Sequence, residues 1–202
     1  MQNHAQDAKG RGRPPKQRGD KLLTREMLVH VGTEVLTEKG YSAVGVDEIL
    51  QRTGISRCSF YYYFKTKEGF GAELIDRYRL SITQKLSPLG SLRAFLGEVR
   101  DEMARTDCRS GCLAGKLAQE VNTLPENFRE QLSAVFAEWQ DVFARGLKRA
   151  QETGEISPEL DCASTAAFFW YGWEGALQRA NLELNIKPVD IFIGNFFSRL
   201  TG

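Results

Sequence analysis

Cys112 stands directly after Gly111, with Lys116 four residues ahead and Arg109 three residues behind. If a helix begins here, its N-terminus and the two cations favour thiolate over thiol. A thiolate adds to electron-poor alkenes or is oxidised. The same residue also suits the ordinary fate of a free cysteine, a small buried hydrophobe. A second group is the aromatic run Phe168-Phe169-Trp170-Tyr171 with Trp173. These rings cannot all share one helix face, so some face a core or a dimer seam. Others, with Trp139 of a neighbouring helix, can line a small-molecule cavity. A third group is Arg57, Cys58, Ser59 and Tyr62, which a short helix would turn outward if Phe60 and Phe64 turn inward.

Other chemistries are missing their parts. The chain has only two histidines, His4 and His30, which argues against Ser/His/Asp or Cys/His nucleophiles and against histidine metal sites. Gly69-Phe70-Gly71 is a fragment of a phosphate-binding pattern with no strand before it. No catalytic residue, metal or cofactor is expected. The four cysteines are sparse and none forms a Cys-x-x-Cys pair, which suits a reduced cytoplasmic protein. No apolar run is long enough for a membrane span or a secretory signal.

The elements that would position these groups read as helices throughout. Met27, Leu28, Val31, Val35 and Leu36 recur at helical spacing from Thr24 to a stop at Gly40. Two short helices follow, at about 46–53 and from Ser56, its cap, to about 63, with Gly54 as the turn. Thr66 caps a longer helix over 67–86, broken by Ser87-Pro88. Further helices are predicted over 89–105, 112–122 and 125–154, then from Pro158 to 184 and from Pro188 to 200. The fold class is all-α, with about nine helices. Two short helices joined by a tight turn on a supporting helix form a helix-turn-helix. Its second helix can enter the major groove of double-stranded DNA. Simple core helices are the plainer alternative.

The net charge of +1 hides an asymmetry. Residues 1–71 hold 12 Lys/Arg against 8 Asp/Glu, and the remainder is net acidic. Residues 1–20, rich in Gly, Pro and charge, are expected to be a disordered basic arm. Arg11-Gly12-Arg13-Pro14 resembles the core of an AT-hook, slim enough for the A·T minor groove. An unspecific phosphate-binding arm is the alternative for Arg11 and Arg13.

Lys39-Gly40-Tyr41, Val44, Val46, Ile49, Ile55-Ser56, Phe60-Tyr61-Tyr62-Tyr63-Phe64 and Lys67 resemble the N-terminal signature of the TetR family of repressors. The resemblance implies that Tyr61, Tyr63 and Lys67 clamp DNA phosphates and that Arg57 to Ser59 reach bases. Gly45 stands where many members carry a capping Ser or Thr, and Cys58 where Gly or Ala is common. Arg109-Ser110-Gly111-Cys112-Leu113 and Trp170-Tyr171-Gly172-Trp173-Glu174-Gly175-Ala176 further resemble an acrylate- and electrophile-responsive subgroup, AcuR/NemR-like, in which the Gly-Cys-Leu cysteine is associated with sensing.

The domains expected are the arm (1–20), a helix-turn-helix domain (21–70) and an effector-binding and dimerisation domain (71–202). The function expected is a cytoplasmic, nucleoid-associated homodimeric repressor on a palindromic operator. A small effector, held by Cys112, Lys116, Trp139, Phe169, Trp170 and Trp173, would release it. The two helices after residue 158 would form a two-fold four-helix seam. A constitutive DNA-binding protein without a ligand, or an enzyme using the aromatic cavity, are the alternatives.

Overall fold

A computed structural model describes residues 18–86 and 89–200. Among these residues there are nine α-helices and no strand. They are α1 (Arg18–Lys39), α2 (Val46–Thr53), α3 (Arg57–Phe64), α4 (Lys67–Lys85), α5 (Leu89–Arg105), α6 (Leu113–Gln119), α7 (Glu126–Glu152), α8 (Cys162–Glu183) and α9 (Lys187–Leu200). Arg11 and Arg13 lie outside the described residues, and so does the Ser87-Pro88 break.

Three expected boundaries move. The first helix begins at Arg18, inside the span read as a disordered arm. The helix expected over 112–122 is shorter, because Cys112 caps it from outside and Glu120 ends it in a turn. The α8 start is Cys162, not Pro158. The Asp161 carboxylate accepts from the backbone N–H of Ala163 and Ser164, so an acidic cap sets this helix rather than proline at its first turn.

Caps also place the short helices. The Ser56 hydroxyl accepts from the Ser59 N–H, and the Thr66 hydroxyl from the Gly69 N–H. Gly54 ends α2 at φ 66°, a left-handed turn that side chains resist. The chain then doubles back so that Phe60 and Phe64, one turn apart on α3, both face the core against Phe70 of α4.

The long α4 joins the two halves of the molecule. It packs on α1 and on α7. The Arg77 guanidinium donates two hydrogen bonds to Glu26 of α1, and Arg79 bonds Glu138 of α7 at 2.6 Å. In the C-terminal half α7, α8 and α9 form the principal layer. Phe192 of α9 lies where a Cβ on Gly172 would stand, so the bare backbone at Gly172 lets these two helices meet closely. Phe168 and Ile191 remain exposed along the groove between α8 and α9, and Tyr171 on the side of α8 that faces α7.

Candidate nucleic-acid interface and sensing site

The outward face of α3 carries Arg57, Cys58, Tyr61 and Tyr62, all exposed. Ser59 and Tyr63 are half-buried. The Ser59 hydroxyl shares a 2.9 Å hydrogen bond with the capping Ser56 hydroxyl. Arg57 is ion-paired with Asp47 of α2. Tyr62 is the most exposed ring of the helix, and Lys21 and Lys65 bring their ammonium groups to 5.8 and 5.6 Å from its centre. Those two lysines extend the basic face beyond the residues expected from the sequence. The signal was present for Lys65, the first residue after α3, but not for Lys21, which only the fold of α1 brings there. Gly45 caps α2 without a side-chain bond, in extended backbone and open space.

Lys67 differs from the expected exposed clamp. It is half-buried, its ammonium donates to the Tyr41 carbonyl at 2.8 Å, and it lies 4.1 Å from the Tyr41 ring centre. Burial lowers its pKa, opposed by the nearby Glu120 carboxylate. Glu120 also accepts from the backbone N–H of Tyr41 and Ser42, at 3.2 and 2.8 Å. The end of α6 therefore grips the corner between α1 and α2.

Cys112 occupies the other end of α6. The residue is half-buried, but its thiol is turned inward and accepts the Gly115 N–H at 3.4 Å. The helix N-terminus is thus present as expected. The cationic partnership is not. The groups on the thiol are the Tyr78 hydroxyl of α4 and the Glu174 carboxyl of α8. Burial, and then the Glu174 charge, push the thiol well above its ordinary pKa. Lys116 is half-buried and borders a space shared with Cys112 and Glu174. The expectation of a standing thiolate is corrected: a carboxylate and a dry surround outweigh one hydrogen bond from a helix end.

Glu174 is the residue the sequence reading missed. A Cβ on Gly115 would fall 1.7 Å from its Oε2, so only glycine at that point of α6 leaves room for the carboxyl. Burial raises its pKa to about 7. Its only sequence signal was an acidic residue inside an otherwise aromatic and small-residue run.

The aromatic cavity expected between the Cys112, Trp139 and Trp170 helices is nearly closed. Trp139 and Trp170 stack at 5.0 Å. About 10 Å³ is left among Tyr78, Cys112, Trp139, Trp170 and Trp173, roughly one water's worth. Trp139, Phe169 and Trp173 are core residues. Phe169 packs against Phe143 and Phe196 rather than lining this space. On the other side of Cys112 lies a space of about 40 Å³ bordered by Thr37, Lys116, Gln119, Glu174 and Asn181. A larger groove, about 420 Å³, runs between α7 and α8 past Phe136, Trp170 and Glu174.

Among the described residues no His/Cys/Asp/Glu cluster could hold a metal, and no helix is long and apolar enough to cross a membrane.

Comparison with known proteins gives a consistent picture. The pattern for "Bacterial regulatory proteins, tetR family" matches residues 28–74, and that for "Tetracyclin repressor-like, C-terminal domain" matches residues 88–196. The chain is 43% identical over 197 residues to the transcriptional regulator AcuR of Cereibacter sphaeroides, covering 92% of this chain and 89% of that protein. It is 29% identical to the HTH-type transcriptional repressor DhaR of a Mycobacterium species, covering 87% and 91%. A crystal structure of the regulatory protein TetR from Rhodobacter sphaeroides superposes with a TM-score of 0.82 at 41% identity, over 89% of this chain and 100% of that one. The reduced form of Escherichia coli NemR shares the fold, with a TM-score of 0.75 at 22% identity over 88% and 97%. All four are regulators of transcription or carry that fold; none is an enzyme.

Proposed function

This chain belongs to the TetR family of transcriptional repressors, and from that premise we propose that it works as a homodimer on an inverted-repeat operator and is released by a small electrophilic effector engaging Cys112. The observation that carries this reading is α6. It is a seven-residue rod with Cys112 as its N-cap and Glu120 at its far end, and Glu120 holds the corner of the reading head at Tyr41 and Ser42.

An effector wedged beside Cys112 must move something, because the space there is small. α6 is held between α1, α4 and α7, so a shift at Cys112 reaches Glu120 and the start of α4. Lys67, the first residue of α4, leans on the same corner. Displacing that corner and α4 changes the separation of the two reading heads. Half-sites on B-DNA lie about 34 Å apart or at multiples of that, so an error of a few ångströms weakens both halves together. The effector achieves this only through its different affinity for the two conformations.

In the same reading Arg57, Cys58, Ser59 and Tyr62 face the major groove, and Tyr61, Tyr63 and Lys67 hold phosphates. Arg11 and Arg13 of the arm add a contact in the flanking minor groove. Lys67 would have to leave the Tyr41 carbonyl to meet a phosphate, or hold that corner while its remaining N–H groups reach out. The exposed Phe168 and Ile191 supply apolar area for the dimer seam.

Selection from a pool of random duplexes, followed by footprinting, tests this. Two chains should protect an inverted repeat with half-sites about one helical turn apart. Protection of a single asymmetric half-site by one chain would rule out the dimeric reading.

A further inference from the structure

We propose that Asp47 of α2 is a specificity-determining residue of the DNA-reading face: it holds the Arg57 guanidinium so that Arg57 reads a guanine in the major groove instead of binding a phosphate. The inference rests on the reading of α3 as the helix that enters the groove, and it is independent of any effector at Cys112.

Arg57 is the first residue of α3, and Asp47 lies in the first turn of α2. The turn at Gly54 folds the two helices together, and the Arg57 Nη2 group donates to Asp47 Oδ1. The first turn of α3 is itself fixed. The Ser56 hydroxyl accepts the Ser59 N–H at 3.2 Å and shares a bond with the Ser59 hydroxyl. Glu48, the other acid of α2, is engaged elsewhere, by Lys39 at 2.7 Å and Arg52 at 3.0 Å. Asp47 is thus the acid of α2 whose ion pair reaches the reading helix.

The pair is placed for DNA rather than for the fold. Its side chains are 57% and 75% exposed, and an ion pair this open to water adds little stability. Two other cations of the face, Lys21 and Lys65, lie beside Tyr62 and enter no ion pair among the described residues. They are free to attract phosphates. Arg57 is not, because the Asp47 carboxylate cancels its charge and repels a phosphate oxygen brought beside it.

What the carboxylate leaves open is a hydrogen-bonding edge. A guanidinium carries five N–H groups and no acceptor. Asp47 takes one N–H of Nη2, so either the Nη1–Nη2 edge or the Nε–Nη2 edge keeps both its donors. Such an edge matches the O6 and N7 acceptors of guanine, whereas adenine sets a donor beside its N7 and cytosine offers a donor. A freely turning arginine can trade this contact for a neighbouring phosphate, and one tethered to Asp47 does not. Asp47 therefore acts through Arg57, as a positioning residue that sharpens base preference and lowers unspecific affinity.

The test uses the full chain and the operator recovered by selection, with each base pair of one half-site replaced in turn. Affinities are read by fluorescence anisotropy at several salt concentrations. In the parent, replacing one G·C pair should cost about tenfold or more. Arg57→Ala should remove that preference. Asp47→Ala should reduce it to about threefold or less, bind random duplex more tightly, and steepen the salt slope by about 1, as the released guanidinium takes a phosphate. Asp47→Ser, whose side chain is too short to reach Arg57, should do the same, and an unchanged thermal unfolding transition shows that each variant is folded. With Arg57→Ala already present, Asp47→Ala should leave base preference as it was. An Asp47→Ala protein that keeps the parent's guanine preference overturns the proposal, and so does one that binds every duplex more tightly by the same factor. If Arg57→Ala leaves base preference intact, the groove assignment of Arg57 falls, and this proposal with it.

Discussion

The helix-turn-helix and the core around Cys112 are built on opposite plans. From Gly45 to Lys67 nearly every structural decision is local. Ser56 and Thr66 cap helices through N–H groups three residues away, and Gly54 turns the chain between them. Around Cys112 the decisive neighbours are Tyr78 of α4 and Glu174 of α8, which meet the cap of α6 from distant parts of the chain. A spacing rule reads the first region directly. In the second it places a helix start at Cys112 but not the neighbours of its thiol, because the position of Lys116 in sequence says nothing about which carboxylate the fold brings to the sulfur.

The difference can be sharpened by substitution, and the largest effect lies in the reading head. Phe60 is buried against Phe64 and Phe70. Phe60→Ala should cost about 3–5 kcal/mol. Denaturant unfolding would measure this, and operator binding should fall with it. A loss below about 1 kcal/mol would mean that α3 is not held by this cluster.

Around Cys112 the sign is reversed. Burial holds Glu174 protonated up to about pH 7, whereas an unfolded glutamate titrates near 4.3. The folded chain therefore binds more protons across that window, and its stability falls as pH rises from about 4.3 to about 7. Glu174→Gln removes the penalty. It should raise stability by about 3 kcal/mol at pH 8 and leave it nearly unchanged at pH 4. Equal effects at both pH values would show that the carboxyl is not buried as described.

Two smaller effects concern DNA and the cap. Lys67→Ala should weaken all DNA sequences alike and lower the salt slope by about 1. If affinity and slope both stay unchanged, Lys67 only braces Tyr41. Gly45→Ser should raise thermal stability by a few tenths of a kcal/mol, since the extended backbone and open space accept a capping hydroxyl. A loss of stability there would mean that the site is more crowded than its surroundings indicate.

These contrasts explain what the sequence disclosed. The all-α class, the helix-turn-helix and the outward face of α3 were legible because caps, turns and periodicity act within a few residues. The start of α8 was misplaced because Pro158 and Asp161 both signal a helix start, and the carboxylate cap prevails. The inward turn of Lys67 was illegible, since it depends on Tyr41 and on Glu120, about 50 residues further along the chain. The aromatic cavity was overestimated for a similar reason. Ring count predicts an apolar volume, but the Trp139–Trp170 stack fills it.

The link between the two regions is best tested in a Cys58→Ala parent, so that no exposed thiol on the reading head can react, by its operator affinity and that of its Cys112→Ser derivative, each measured by fluorescence anisotropy before and after exposure to methyl vinyl ketone. The parent should lose about 100-fold in affinity, equivalent to about 2.7 kcal/mol, while Cys112→Ser binds as tightly after exposure as before. Equal release of both proteins, or retention of the operator by a parent fully modified at Cys112, would contradict a switch that runs from Cys112 through α6 to the reading head.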